Sequence, residues 1–174
     1  MKKLLLLPIL LLSLISTSCW GVSRLDLVER EGLYYKKHTD IPFTGEVTGV
    51  WKGRFENGKF EGNWEKYFPR SYGAYDLDNA GSYKNGKKEG DWVYYHNNGQ
   101  LYAKGSYKNG EHEGDWVYYH NNGRLSMKGS YKNGEYEGEW VNYYENGQVI
   151  AKGRYKNGKM EGEWFFYNED GTVD

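Results

Sequence analysis

Cysteine is almost absent from this chain of 174 residues: there is one, Cys19. With no second thiol the chain forms no internal disulfide, and a Cys-x-x-Cys redox or zinc motif is excluded. Proline is nearly as scarce, at 3 residues. Neither sign of charge prevails, since 23 Lys and Arg face 24 Asp and Glu. That balance argues against a nucleic-acid binder, which needs a net basic face to displace counterions. It also argues against a polybasic clamp on anionic lipid headgroups. Plain aliphatic residues thin out after residue 20, and the chain holds no nucleophile elbow, phosphate loop or His-Glu-x-x-His. The familiar signatures of catalysis are missing.

Glycine and aromatics take up the composition instead: 24 glycines, 18 tyrosines, and 18% aromatic residues in all. Any core is therefore built largely from Tyr and Trp. An aromatic-rich, Gly-punctuated, Pro-poor chain reads as β-structure rather than disorder.

The opening MKKLLLLPILLLSLISTSC stands apart. Lys2 and Lys3 precede an apolar run from Leu4 to Ile15, and small polar residues lead to Cys19. The run is too short to span ~30 Å of hydrocarbon as a helix. A charged start, a short apolar stretch and small residues before a cut match an export signal, so residues 1–18 are set aside from the fold. Ser16-Thr17-Ser18-Cys19 resembles the lipobox of bacterial lipoproteins, which implies that Cys19 becomes the lipid-modified first residue. Ser16 departs from that pattern, which prefers Leu there. Trp20 stands where an inner-membrane retention signal has Asp, so the resemblance implies an exported, lipid-anchored envelope protein, at the outer membrane where the host has one.

The rest of the chain repeats itself. Aligned on a glycine, the units are GSYKNGKKEGDWVYYHNNGQLYAK from Gly81, GSYKNGEHEGDWVYYHNNGRLSMK from Gly105, GSYKNGEYEGEWVNYYENGQVIAK from Gly129, and GRYKNGKMEGEWFFYNEDGTVD from Gly153. A worn unit, GRFENGKFEGNWEKYF, starts at Gly53 and carries a tail four residues longer than the others. REGLYYKK at Arg30–Lys37 and PFTGEV at Pro42–Val47 look like fragments of the same unit. The expected organisation is a signal at 1–18, a linker at 19–29 and a degenerate region at 30–52. A repeat domain at 53–174 follows, divided into 53–80, 81–104, 105–128, 129–152 and 153–174.

Each unit carries two turn signals, Asn-Gly and a relative of Asn-Asn-Gly, which supply the positive φ angles of tight turns. Strand-length runs lie between them, so two strands and two turns per unit predict an all-β, up-and-down meander. Alternation assigns faces. Trp116, Tyr118, Leu125, Met127 and Tyr131 are expected on one side, Val117 and Tyr119 on the other, more solvated one. One unit is too small to stand alone, so each copy needs its neighbour.

Gly105, Tyr107, Gly110, Gly114 and Trp116 form a Gly-x-aromatic-x-x-Gly-x-x-x-Gly spacing followed by Trp. The same positions recur as Gly90 and Trp92; as Gly129, Tyr131, Gly134, Gly138 and Trp140; and as Gly153, Tyr155, Gly158, Gly162 and Trp164. This pattern resembles MORN repeats in the variant form common in bacterial proteins. The resemblance implies an elongated single sheet of hairpins acting as a scaffold or a protein- or membrane-contact module. It also brings in antitoxins of the YwqK type.

Candidate chemistry is thin. His96 and His120 hold equivalent places, roughly 9.5 Å apart at ~4.8 Å per strand, too far to share one zinc; no metal or cofactor is expected. The recurrent acids Glu89/Asp91, Glu113/Asp115, Glu137/Glu139 and Glu161/Glu163 form no unique pair for acid–base work. Cross-strand ion pairs with Lys84, Lys108, Lys132 and Lys156 are the expected explanation. The Trp92/Trp116/Trp140/Trp164 and Tyr83/Tyr107/Tyr131/Tyr155 sets read as packing. Tyr95, Tyr119 and Tyr143, with Tyr144 beside it, are the candidates for contact with a partner, because the neighbouring strand's same face is polar. The expectation is a non-catalytic binding module for an unidentified protein, with an antitoxin or immunity protein as the alternative and an envelope glycan enzyme a third reading that lacks its acid–base set.

Overall fold

A computed structural model describes residues 21–69 and 75–174; the signal segment and Cys19 lie outside the described residues. The Asn-Gly pairs set the architecture. Asn57, Asn85, Asn109, Asn133 and Asn157 have φ between 49° and 54°, and the glycine after each is also positive. Two successive left-handed residues make the hairpin turn whose twist matches that of its strands. The hairpins that follow are β5 (Trp51–Glu56) with β6 (Lys59–Pro69), β7 (Tyr75–Lys84) with β8 (Lys87–Tyr95), β9 (Leu101–Lys108) with β10 (Glu111–Tyr119), β11 (Leu125–Lys132) with β12 (Glu135–Tyr143), and β13 (Val149–Lys156) with β14 (Lys159–Phe166). All pair in sequence order in one open antiparallel sheet, extended at its start by β4 (Gly45–Thr48) and, parallel to it, β1 (Val22–Ser23). The longer tail of the worn unit lengthens its hairpin, where Phe68 pairs with Asp76 and Pro69 with Tyr75.

The beginning of the chain differs from the expectation. Residues 19–29 are not simply a linker, since β1 lies within them and β2 (Leu27–Arg30) starts there. REGLYYKK is not a sheet repeat either. Glu31 and Gly32 turn β2 onto β3 (Leu33–Lys36) as a separate two-stranded sheet. Leu27, Tyr34, Phe43, Val47, Phe55 and Trp64 then close one compact core over the first hairpins. Tyr34 N–H donates to the Gly58 carbonyl, and Phe43 N–H to the Tyr34 carbonyl. Those bonds fasten the small sheet to the large one.

Beyond this cap the sheet is a single layer, yet Trp92, Trp116 and Trp140 are only 1–2% exposed. Their burial comes from glycine. A Cβ placed on Gly81, Gly105 or Gly129 would sit 2.2 Å from Cδ2 of Trp92, Trp116 or Trp140, so each indole lies flat on the backbone of the preceding strand. On its other side Trp116 is paired with Gly129, and Trp140 with Gly153. A second glycine set has a different duty. Gly90, Gly114, Gly138 and Gly162 have φ of 67–72°, with open space where a Cβ would stand, and the register shifts beside them as a bulge. The strands therefore alternate as expected across Trp116, Tyr118, Met127 and Tyr131. At Leu125 they do not: a register shift sets it opposite Tyr119.

Two substitutions and a pair of deletions test this packing. Gly129→Ala overpacks the site and costs about 1–3 kcal/mol in urea denaturation, a loss relieved when Trp140 is also changed to Leu. Gly138→Ala costs about 1–2 kcal/mol through its left-handed φ and is indifferent to Trp140. Deleting 105–128 as a whole unit preserves a cooperative circular dichroism melt, because Lys104 then meets Gly129 in phase. Deleting half that unit abolishes it.

Candidate functional site

The first face of the sheet carries three parallel rows. In the middle are the indoles just described, with Trp Nε1 of residues 92, 116 and 140 donating to the carbonyls of Ser82, Ser106 and Ser130 at 3.1 Å. Towards the Asn-Gly turns runs a ladder of rings. Phe60 stacks on Tyr83 at 4.9 Å, His112 on Tyr131 at 4.8 Å, Tyr131 on Tyr136 at 4.9 Å, and Tyr136 on Tyr155 at 5.0 Å. The indoles meet this ladder edge-on, as Tyr83–Trp92, Tyr107–Trp116 and Tyr131–Trp140 show at 5.1–5.2 Å. The third row crosses the strands as Trp51, Lys66, Asn79, Tyr94, Ala103, Tyr118 and Met127. Two of its members bridge to the ladder: Tyr94 Oη donates to Tyr107 Oη at 3.0 Å, and Tyr118 Oη meets Tyr131 Oη at 3.1 Å.

One ladder position varies from unit to unit: Phe60, Lys88, His112, Tyr136 and Met160. Lys88 breaks the run of rings. Its ammonium lies 4.4 Å from the Trp92 ring centroid and 4.9 Å from that of Tyr107, and donates to Tyr94 Oη at 2.6 Å. Burial lowers the Lys88 pKa and raises those of Tyr94 and Tyr107. The rings thus hold a cation by their faces while withholding water from it.

The second face is unlike the first. Val93, Lys104, Val117, Lys128, Val141, Lys152 and Phe165 alternate across it in register. Tyr95, Tyr119 and Tyr143 follow the valines in sequence and are half-buried. The side they occupy is marked by their counterparts at either end, since Lys52 Nζ stands 4.6 Å over the Tyr67 ring and Lys152 Nζ lies 5.7 Å from that of Tyr167. No ring pair among the described residues joins Tyr95, Tyr119 or Tyr143 to another aromatic. Tyr144 belongs elsewhere. It takes the place that His96 and His120 hold, and its hydroxyl donates to the Tyr167 carbonyl at 3.0 Å. His96 Nε2 and His120 Nε2 meet the carbonyls of Tyr119 and Tyr143 at 2.9 and 2.8 Å. These side chains staple each unit to its successor.

The expected ion pairs are largely replaced by another arrangement. Glu89, Glu113 and Glu137 accept the turn N–H of Asn109, Asn133 and Asn157 in the following unit at 2.8–3.0 Å. Asp91 and Asp115 accept from the hydroxyls of Ser106 and Ser130. Of the recurrent Lys and acid sets, Lys156–Glu161 at 3.6 Å is the ion pair found among the described residues. A carboxylate beside an unsatisfied backbone N–H gains more from that bond than from an exposed lysine. The period of 24 marks both the staples and these caps, but their partners come within reach only once hairpins are stacked. The same holds for the tyrosine bridges between rows.

His112 offers a pH test. Burial, reinforced by the Lys88 ammonium, lowers its pKa below the ordinary 6.5. The unfolded chain takes up a proton there while the folded ring is still neutral. Stability therefore falls as pH drops through about 6.5 and levels off below the folded pKa. His112→Tyr copies Tyr136 of the next unit and removes this dependence. Its urea midpoint falls less between about pH 8 and about pH 5 than that of the unaltered chain.

The family model described as MORN repeat variant matches residues 88–109, 113–133 and 136–157. A search of curated proteins finds no match. The matched segments run from the variable ladder position or the acid after it, through the buried indole, to the next Asn-Gly turn. Residues 88–157 match three consecutive repeats of the MORN variant family, and the chain is a repeat protein whose glycine, tyrosine and tryptophan spacing continues on either side of them.

Proposed function

We propose that this chain is a non-catalytic binding or scaffold module that engages a protein partner through the second face of its sheet. The observation that carries the reading is the division of labour between faces. On the first, tyrosines and tryptophans satisfy one another by stacking and hydrogen bonding. On the second, Tyr95, Tyr119 and Tyr143 recur once per unit without a ring partner, beside Lys104, Lys128 and Lys152. Tyrosine offers large contact area at little entropic cost, and the interleaved ammonium groups suit a partner with acidic side chains. Export and a lipid anchor at Cys19 complete the reading, with the module held in the cell envelope. An antitoxin or immunity role would use the same surface, with a toxin as the captured partner.

Crosslinking and co-purification of the full chain test it. A stoichiometric partner is expected, lost in the Tyr95→Ala, Tyr119→Ala, Tyr143→Ala variant while that variant keeps its circular dichroism spectrum. A partner retained by the triple variant, or lost instead on changing Tyr136 of the first face, overturns the assignment.

A further inference from the structure

The first face is roofed by tyrosine bridges at two of its junctions. Tyr94 to Tyr107 and Tyr118 to Tyr131 span from the third row to the ladder and roof the indole between them. The bridging tyrosine is replaced by Lys66 in the worn unit and by Asn142 and Phe166 in the last two, and among the described residues no hydroxyl bridge spans those junctions. A trough of about 220 Å³ remains over Trp64, walled by Trp51, Phe60 and Tyr83 and flanked by Lys66 and Lys88. Its polar groups belong to this junction alone. Asp78 pairs with Lys66 at 2.7 Å, where the next unit has Tyr102, and Asn79 lines the trough where the next unit has Ala103. Lys88 feels Asp78 and Lys66 as its charged neighbours.

We infer that this trough binds an anionic sugar unit, with its carboxylate between Lys66 and Lys88 and its ring against the aromatic walls. Glu65 also lines the trough, but its carboxylate is engaged by Lys52 and Tyr67 on the second face. Two ammonium groups therefore stand against the one carboxylate of Asp78 and leave a net positive charge. Lys88 is partly withdrawn from water, so an incoming anion meets little competing solvation. Trp51, Phe60 and Tyr83 are half-buried and offer ring surface to the C–H edges of a pyranose. Asn79, which lines the trough, supplies an acceptor for a hydroxyl donor. An acidic peptide side chain has the charge but neither the hydroxyl for that acceptor nor a ring to lay against the aromatic walls. The volume lies below the ~300 Å³ at which drug-sized pockets begin, which fits one sugar unit and not a larger cofactor.

The repeat supplies substitutions that the fold already accommodates. Lys66→Tyr copies Tyr94 and roofs the trough; Lys88→Tyr copies Tyr136. The probe is a glucuronate-containing disaccharide titrated into the full chain and followed by tryptophan fluorescence, with cellobiose as the neutral control and an acidic hexapeptide as the other anion. A saturable change with the uronate is expected, weakened at least tenfold by either variant and at least tenfold for cellobiose, while both variants keep their circular dichroism melts. Absence of a saturable change with the uronate overturns the assignment. So does equal affinity in the variants, equal affinity for cellobiose, or tighter binding of the hexapeptide.

Discussion

An indole lying flat on a glycine is the contact on which the rest of this structure depends. A single-layer sheet has no second layer to bury its side chains, so it must bury them against its own backbone. Glycine makes this possible by leaving its pleat position empty, and the indole ring of the next strand occupies it. The ring is then covered edge-on by tyrosines of neighbouring strands, and its one polar atom finds a carbonyl. Area, geometry and hydrogen bonding are satisfied together. Remove the glycine and the indole must lift; once it lifts, the tyrosines lose the edge they lean on. At the last unit Trp164 has its glycine but no following strand, and it is less buried than the three before it.

The stack is held at both ends of each hairpin as well as in the middle. At the Asn-Gly end the turn of one unit hangs on its predecessor, where Gly110 N–H donates to the Lys88 carbonyl and Asn109 N–H to the Glu89 carboxylate. At the other end His96 and Asn98 reach the carbonyls of Tyr119 and Asn121. Every one of these bonds joins position n to the same position-relative partner one unit on. A change in one copy therefore disturbs two junctions, and near-verbatim repetition of EGDWVYYHNNG is the consequence. The N-terminal sheet ends the series differently, with a compact aromatic and aliphatic core.

Much of this is legible from residue order. Asn-Gly announces its own φ angles, and the spacing of glycine, tyrosine and tryptophan announces which rings share a face. Other features are not legible, for physical reasons. A glutamate that recurs every 24 residues has a fixed place, but a lysine and a backbone N–H are both acceptable donors, and only stacking brings Asn133 N–H to Glu113. The face of Leu125 depends on a register shift that no side chain advertises. Glu31-Gly32 makes a turn like the others, yet whether its hairpin joins the large sheet or folds over it is decided by the path from Lys37 to Phe43, which carries no periodic pattern. The contact surface proposed at Tyr95, Tyr119 and Tyr143 rests on elimination, because those side chains form no ring pair within the stack.

Repetition also constrains what such a surface can recognise. Identical tyrosines recur at roughly 9.5 Å, two strand spacings of ~4.8 Å, so on the proposed reading a partner engages several units at once and gains through effective concentration rather than through any one strong contact. A uniform row has avidity but no address, because a partner shifted by one unit makes the same contacts. Positional information must come from where the units differ. Phe60, Lys88, His112, Tyr136 and Met160 differ at one place on the first face, and Lys66, Asp78 and Asn79 differ from the tyrosine, tyrosine and alanine of the next unit. Lys66, Asp78, Asn79 and Lys88 meet at the junction of the worn unit with the first good one, and the other departures are spread along the units. The invariant positions are bound to the stack, since changing them breaks two junctions, and the variable ones are free to specialise. Selection for a distinct ligand could therefore act at that junction without disturbing the stack.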